Sequence, residues 1–166
     1  NAYRMFLHIF FIAGLVLSLS VAGKAFSQPD AAFTDKEADI FIAEWIRLSE
    51  DNKNLDVVMT LYADDVEFYK QGTVKKAVIA EDKKKYFERW PQREHRVISI
   101  VVRPGSQDNV RQAEVLFHYK IRKGQKSLEG DARTLLSLRK AQGKVIIVSE
   151  KDLPAPLTPA ASAAGA

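Results

Sequence analysis

Hydrophobic residues recur along this chain in two rhythms, first helical and then strand-like. Ala38, Phe41, Ile42, Trp45 and Leu48, with Ser49 closing the stripe, follow the spacing of one face of an amphipathic helix. Thr34, with Glu37 three residues on, forms a capping box that fixes where this helix begins. Asp51-Asn52-Lys53-Asn54 breaks it, and Asn54 is placed to cap a second, short helix with Leu55, Val58, Met59 and Tyr62 on its apolar face. The pair Asp64-Asp65 is expected to stop that helix and lead into a strand, Val66 to Lys70, closed by Gln71-Gly72. A third helix is predicted from about Lys76 to Trp90, with Ile79, Tyr86, Phe87 and Trp90 along it and Pro91 ending it.

After Pro91 the period shortens to two. His95 to Arg103 is rich in Val and Ile and is closed by Pro104-Gly105. Val110 to Ile121 puts Ala113, Val115, Phe117, Tyr119 and Ile121 on one face, with Gln112, Glu114, His118 and Lys120 on the other. Ser127 to Arg139 sets Leu128, Ala132, Thr134, Leu136 and Leu138 against Glu129, Asp131, Arg133 and Ser137, and Lys144 to Ser149 makes a last strand. Lys123-Gly124 and Gln142-Gly143 mark tight hairpins, so these strands are antiparallel neighbours. The fold class is therefore α+β: three N-terminal helices packed on a curved, mostly antiparallel sheet. The helices must cover the apolar face, and a curved sheet wrapped around them leaves a conical cavity.

The two ends follow neither rhythm. Phe6 to Ala22 is an apolar run preceded by Arg4 and followed by small residues at Gly23, Ala25 and Ser27. It reads as a signal peptide over residues 1–27, cleaved after Ala25 or Ser27; the alternative is an uncleaved membrane anchor. Residues 28–33 read as a linker, 34–153 as the domain, and 154–166 as a disordered Pro/Ala-rich tail. A hydrophobic share of 46% suffices for a core. The absence of cysteine excludes disulfides and thiol chemistry and, with an export signal, points to a periplasmic or secreted protein. A net charge of +4 implies only weak attraction to anions.

The order of elements and the run Leu61-Tyr62-Ala63-Asp64-Asp65-Val66-Glu67-Phe68-Tyr69 resemble the nuclear transport factor 2-like superfamily, which also holds the SnoaL-like polyketide cyclases and ketosteroid isomerases. The resemblance spans about Thr34 to Leu153 and implies an α+β cone. That superfamily includes enzymes, ligand binders and dimerisation modules, so the fold leaves the activity open. Many of its members dimerise through the outer sheet face, which here carries Glu114, His118, Glu129, Asp131 and Arg133. The same charges also suit ordinary cross-strand pairs.

Several residues are candidates for chemistry. Asp64 and Asp65 suit a helix stop better than an acid–base pair, because neighbours in a strand point to opposite sides. Asp82 shares a helix face with Ile79, Tyr86 and Trp90; on such a face a carboxylate is desolvated or bonded, to Arg89, Arg93, His95 or a tyrosine. Tyr62, Tyr69 and Tyr86 are candidate proton donors beside it, since a tyrosine and a carboxylic acid form the oxyanion hole of ketosteroid isomerase. Trp45, Tyr62, Tyr69, Tyr86, Trp90, Phe117 and Tyr119 are the expected ligand-binding residues. His95 and His118 lack metal-ligand spacing, so neither metal nor cofactor is expected. Lys83-Lys84-Lys85 reads as the solvated face of the third helix, without the interleaved aromatics of a nucleic-acid platform.

The inward strand faces offer mainly Ala, Val, Leu, Phe and Thr, too few polar groups for a catalytic constellation. The expectation is non-catalytic binding of a small apolar ligand or a protein partner. The alternative is a cofactor-independent isomerase, dehydratase or cyclase using Asp82 and a tyrosine.

Overall fold

The structure is a computed structural model and describes residues 32–154. The expected signal peptide, residues 28–31 of the expected linker, and the tail beyond Pro154 lie outside the described residues. Phe33, placed in the linker by its sequence, is fully buried in the core, so the domain begins before the first helix.

The predicted helices form where their signals lie, with two local differences. Helix α1 spans Asp35–Ser49 and begins at the complete Thr34–Glu37 capping box, an arrangement worth about 1 kcal/mol. Asp51 caps a 3-10 turn at Asn52–Asn54, and Asn54 makes no side-chain cap for helix α2, Leu55–Thr60. Helix α2 stops at Leu61, not at the aspartates. Asp64 and Asp65 lie inside strand β1, Tyr62–Phe68, where both are exposed and pair with Lys76 (3.0 Å) and Lys75 (2.6 Å). A short strand β2, Thr73–Lys75, leads into helix α3, Lys76–Arg89.

Four long strands complete the domain: β3 Gln92–Pro104, β4 Val110–Lys123, β5 Lys126–Ala141 and β6 Lys144–Leu153. The sheet order is β2-β1-β6-β5-β4-β3, antiparallel throughout except where β1 runs parallel to β6. Gln142 and Gly143, both with positive φ (51° and 72°), make the two-residue turn from β5 to β6; such turns match the sheet's twist.

The register shifts in three places, once between β1 and β6 and twice among the long strands, where bulges bend the sheet and reset its alternation. In β3, Val97 faces Phe117 and Ser99 faces Leu116, leaving Ile98 as the extra residue. In β6, Ile147 pairs with Leu138 and Ser149 with Ser137, leaving Val148 extra. One half of the concave face is filled by Val115, Leu136, Leu138 and Ile147, all fully buried against α1 and α2 residues such as Ile42 and Val58. Each such side chain contributes roughly 1.5–3 kcal/mol of burial. The other half stays open.

Candidate functional site

The open half is a cavity of about 340 Å³. Strand β4 gives it Phe117, Tyr119 and Ile121; β5 gives Ala132 and Thr134; α1 and α3 close it with Trp45, Tyr86 and Phe87. Gly130 lies directly across from Tyr119, where an added Cβ would come within 3.1 Å of the tyrosine oxygen. The missing side chain thus gives the Tyr119 ring its place against the strand.

Beside the cavity, strand β6 supplies a buried glutamate. Ile147 points inward, and strict alternation would turn Ser149 and Lys151 inward after it. The extra residue at Val148 reverses the phase, so Glu150 and Asp152 stand opposite Leu136 and Thr134 and face the helices instead. Glu150 is 2% exposed. Its Oε2 accepts from the Tyr62 hydroxyl (2.6 Å), and its Oε1 from the Tyr69 hydroxyl (2.7 Å) and Lys83 Nζ (3.4 Å). Trp45 Nε1–H in turn donates to the Tyr62 oxygen at 3.0 Å. A buried carboxylate is tolerable only when its acceptors are engaged in this way. Burial first, then the charge of Glu150, pushes both tyrosine hydroxyls upward, so they stay protonated donors.

Lys83 completes the cluster. Ile79, Lys83 and Phe87 recur every fourth residue on the inner stripe of α3, and the lysine side chain is only 12% exposed. Its ammonium lies 5.2 Å from the Tyr62 ring centre and 5.7 Å from that of Trp45, within cation–π range.

The far wall rests on Arg93, buried on β3. Its guanidinium donates to the carbonyls of Ser49 (2.9 Å) and Trp90 (2.6 Å) and to Asn52 Oδ1 (2.6 Å) and stacks on Phe87 at 3.8 Å. A cation at the C-terminal ends of α1 and α3 complements both helix dipoles. Two residues along, His95 lines the cavity edge-on to Phe117, with ring centres 5.5 Å apart. Its backbone N–H donates to Glu50 at 2.6 Å. Its Nδ1 is buried without a hydrogen-bond partner, the same Glu50 carboxylate lying 3.7 Å away. Burial, reinforced by the charge of Arg93, lowers its pKa to about 4, so the imidazole is neutral at pH 7.

Asp82 and Asp152 occupy the cavity's edge, and both are exposed. Neither carboxylate takes part in a hydrogen bond or ion pair among the described residues, yet both repel the ionised form of the Tyr69 hydroxyl. Partial burial, then Glu150, raises the Asp152 carboxyl, with Lys83 opposing.

Of the residues expected at the site, Trp45, Tyr69, Asp82, Tyr86, Phe117 and Tyr119 line the cavity. Tyr62 and Trp90 do not. Tyr62 is 1% exposed and lies behind the lining, its hydroxyl committed to Glu150. Trp90 caps α3 and uses its carbonyl on Arg93. Asp82 is not desolvated, because α3 turns Lys83 inward and leaves Asp82 at the edge. Among the described residues its carboxylate reaches no tyrosine hydroxyl by hydrogen bond and pairs with no arginine. The inner face is also more polar than its alternation predicted: Lys83, His95, Glu150 and Asp152 were not foreseen there. For Lys83 the signal was its spacing from Ile79 and Phe87. For Glu150 there was none, since the predicted strand ended at Ser149 and simple alternation turns the glutamate outward.

The convex face carries the expected charge ladder. His118 lies between Asp131 (2.8 Å) and Glu129 (3.0 Å), Lys120 is 3.4 Å from Glu129, and Arg133 is 3.4 Å from Glu114. Among the described residues no group of His, Asp or Glu is arranged to hold a metal ion, and no helix is long and apolar enough to cross a membrane.

No protein-family model and no curated protein matches the sequence. Solved structures do match the fold. The chain is similar to Aln2 from a Streptomyces species, with 12% identity and a TM-score of 0.60 over 73% of this chain and 92% of that one. It is similar to a scytalone dehydratase-like protein from Novosphingobium aromaticivorans, with 8% identity and a TM-score of 0.62 over 70% and 80% of the two chains. The beta subunit of benzoate 1,2-dioxygenase from Burkholderia mallei matches at 10% identity and a TM-score of 0.60, over 72% and 89%. The shared fold is the nuclear transport factor 2-like α+β cone.

Proposed function

We propose that this protein binds a small ligand with an apolar or aromatic body in the cone, without turning it over. The observation that carries this reading is the closure of the polar cluster on itself. Tyr62 and Tyr69 spend their protons on Glu150, and Lys83 is paired with the same carboxylate. The two tyrosines are therefore not free to donate to a developing oxyanion, and Glu150 is not free to take a proton. What remains open is a wall of aromatic and aliphatic side chains, edged by Asp82 and Asp152, around a volume within the usual range for small-molecule sites. An export signal at residues 1–27 would place this binding in the periplasm or outside the cell, and the convex charge ladder is available to a second copy.

Trp45 lies in the cavity wall and reports occupancy. Titration with small aromatic compounds should change its fluorescence saturably, and the change should vanish in Trp45→Phe. A flat response to every compound would sink the binding reading. The rival reading, acid–base catalysis, is favoured by Asp82 and Asp152, which face the cavity without partners. Saturable turnover that Asp82→Asn abolishes would establish the rival and overturn ours.

A further inference from the structure

We propose that the ligand is a cation: an organic ammonium or related amine whose charged head sits at the mouth of the cone between Asp82 and Asp152, with its apolar body against the aromatic wall. This rests on the binding reading above and specifies its chemistry.

Three independent observations converge. The first is charge. The charged lining holds the carboxylates of Asp82, Glu150 and Asp152 and the ammonium of Lys83, with His95 neutral and the Arg93 guanidinium behind the far wall at Phe87, away from the two aspartates' edge of the cavity. Lys83 makes its ion pair with Glu150 and lies over the rings, and acts on Asp152 only from a distance, so neither Asp82 nor Asp152 has a direct ion pair among the described residues. Like charges facing one partly apolar cavity disfavour each other until a positive charge arrives between them.

The second is the wall. Tyr69, Tyr86, Phe117 and Tyr119 line the same space as the two carboxylates. Aromatic faces beside carboxylates are the usual recognition chemistry for ammonium groups, through the ring quadrupole. The third is an unmet polar group. The His95 side chain is nine-tenths buried and lines the cavity; its Nδ1 has no hydrogen-bond partner among the described residues, the nearest carboxylate, Glu50, standing off at 3.7 Å. A neutral imidazole adds no positive charge to repel a cation.

The test uses three probes that share a phenyl ring and differ in charge: benzyltrimethylammonium, benzyl alcohol and phenylacetate. Binding to the purified protein is followed by calorimetry and by Trp45 fluorescence at low and high salt. The expected result is that the ammonium binds about tenfold more tightly than the alcohol and that salt erodes this preference. Asp82→Asn and Asp152→Asn should each reduce the ammonium's preference over the alcohol, with thermal unfolding midpoints close to that of the parent protein showing that the variants are folded. Equal affinity for all three probes would overturn the cation proposal and leave the binding reading standing. Tighter binding of phenylacetate would assign control of the site to Lys83 and likewise overturn it. Saturable binding of none would end both.

Discussion

On the concave face of the sheet, His95 is packed against Phe117 with Arg93 two residues away; on the convex face, His118 sits between Asp131 and Glu129. The two residues are the same chemically and occupy neighbouring strands. Burial and a nearby guanidinium hold the first below its ordinary pKa, at about 4. Hydrogen bonds to Asp131 and then Glu129 raise the second. The concave face concentrates desolvated polar groups in a few deep contacts, whereas the convex face spreads solvated charges along pairs that individually contribute little. Function is to be sought where a polar group is expensive to keep, and that is the concave side.

The comparison breaks most visibly at Glu150. Removing its carboxylate in Glu150→Ala strands two buried hydroxyls and an ammonium, and should cost about 3–5 kcal/mol in denaturant-induced unfolding. Glu114→Ala on the convex face should change stability far less, because its contacts with Arg103 and Arg133 are long, at 3.8 and 3.4 Å, and both arginines keep part of their side chains in water. A loss at Glu150 no larger than at Glu114 would contradict the division between faces.

Next comes the acid limb of stability. His95 is depressed in the folded state relative to its ordinary 6.5. Above pH 6.5 it is neutral in both states and its contribution is unaffected. As pH falls from 6.5 towards about 4, the unfolded chain takes up a proton that the folded one refuses, and stability drops by up to ~3 kcal/mol. His95→Leu should flatten that part of the curve, as measured by thermal unfolding across the window.

A smaller effect is expected from Gly130→Val, which crowds the Tyr119 hydroxyl. Its cost should be about 1–2 kcal/mol, with a shift in ligand affinity larger than that of a substitution at Ser127 on the other side of the same strand.

The smallest effect belongs to His118. Its stabilisation is fully present below pH 6.5 and fades as pH rises through its raised folded value. It is best seen by titrating both imidazoles by NMR: His118 should titrate above 6.5 and His95 well below it. Coincident midpoints would erase the contrast between the two faces.

The fold was legible in the sequence because it depends on periodicity and caps, which are local. Thr34 and Glu37 announce α1, alternation announces β4 and β5, and Gln142-Gly143 announces their return. Half of the site was legible as well, since aromatics on inward faces are visible as such. The polar half was not. Lys83 lies in a run of three lysines that read as a solvated face, and only its distance from Ile79 and Phe87 marks it as inward. Glu150 depends on the extra residue in β6, which is a property of pairing with β5 and leaves no trace in the strand's own residues. The aspartates at 64 and 65 drew attention because they are adjacent, yet each is itself exposed and pairs with a lysine beside it, Lys76 or Lys75.

The extra residue at Val148 also leaves the last strand with a choice while the chain folds. Paired without it, β6 would slip by one position against β5 and bring Ser149 and Lys151 inward. The hydrophobic part of the strand discriminates weakly between these registers, because Val145, Ile146, Ile147 and Val148 offer apolar side chains to both faces. In the slipped register Ser149 would take the place of Glu150 opposite Leu136, so the hydroxyls of Tyr62 and Tyr69 and the Lys83 ammonium would lose their carboxylate, and Lys151 would replace Asp152 opposite Thr134. The glutamate cluster thus acts as a proofreader: it adds little net stability, but it rejects the wrong alignment when the final strand docks.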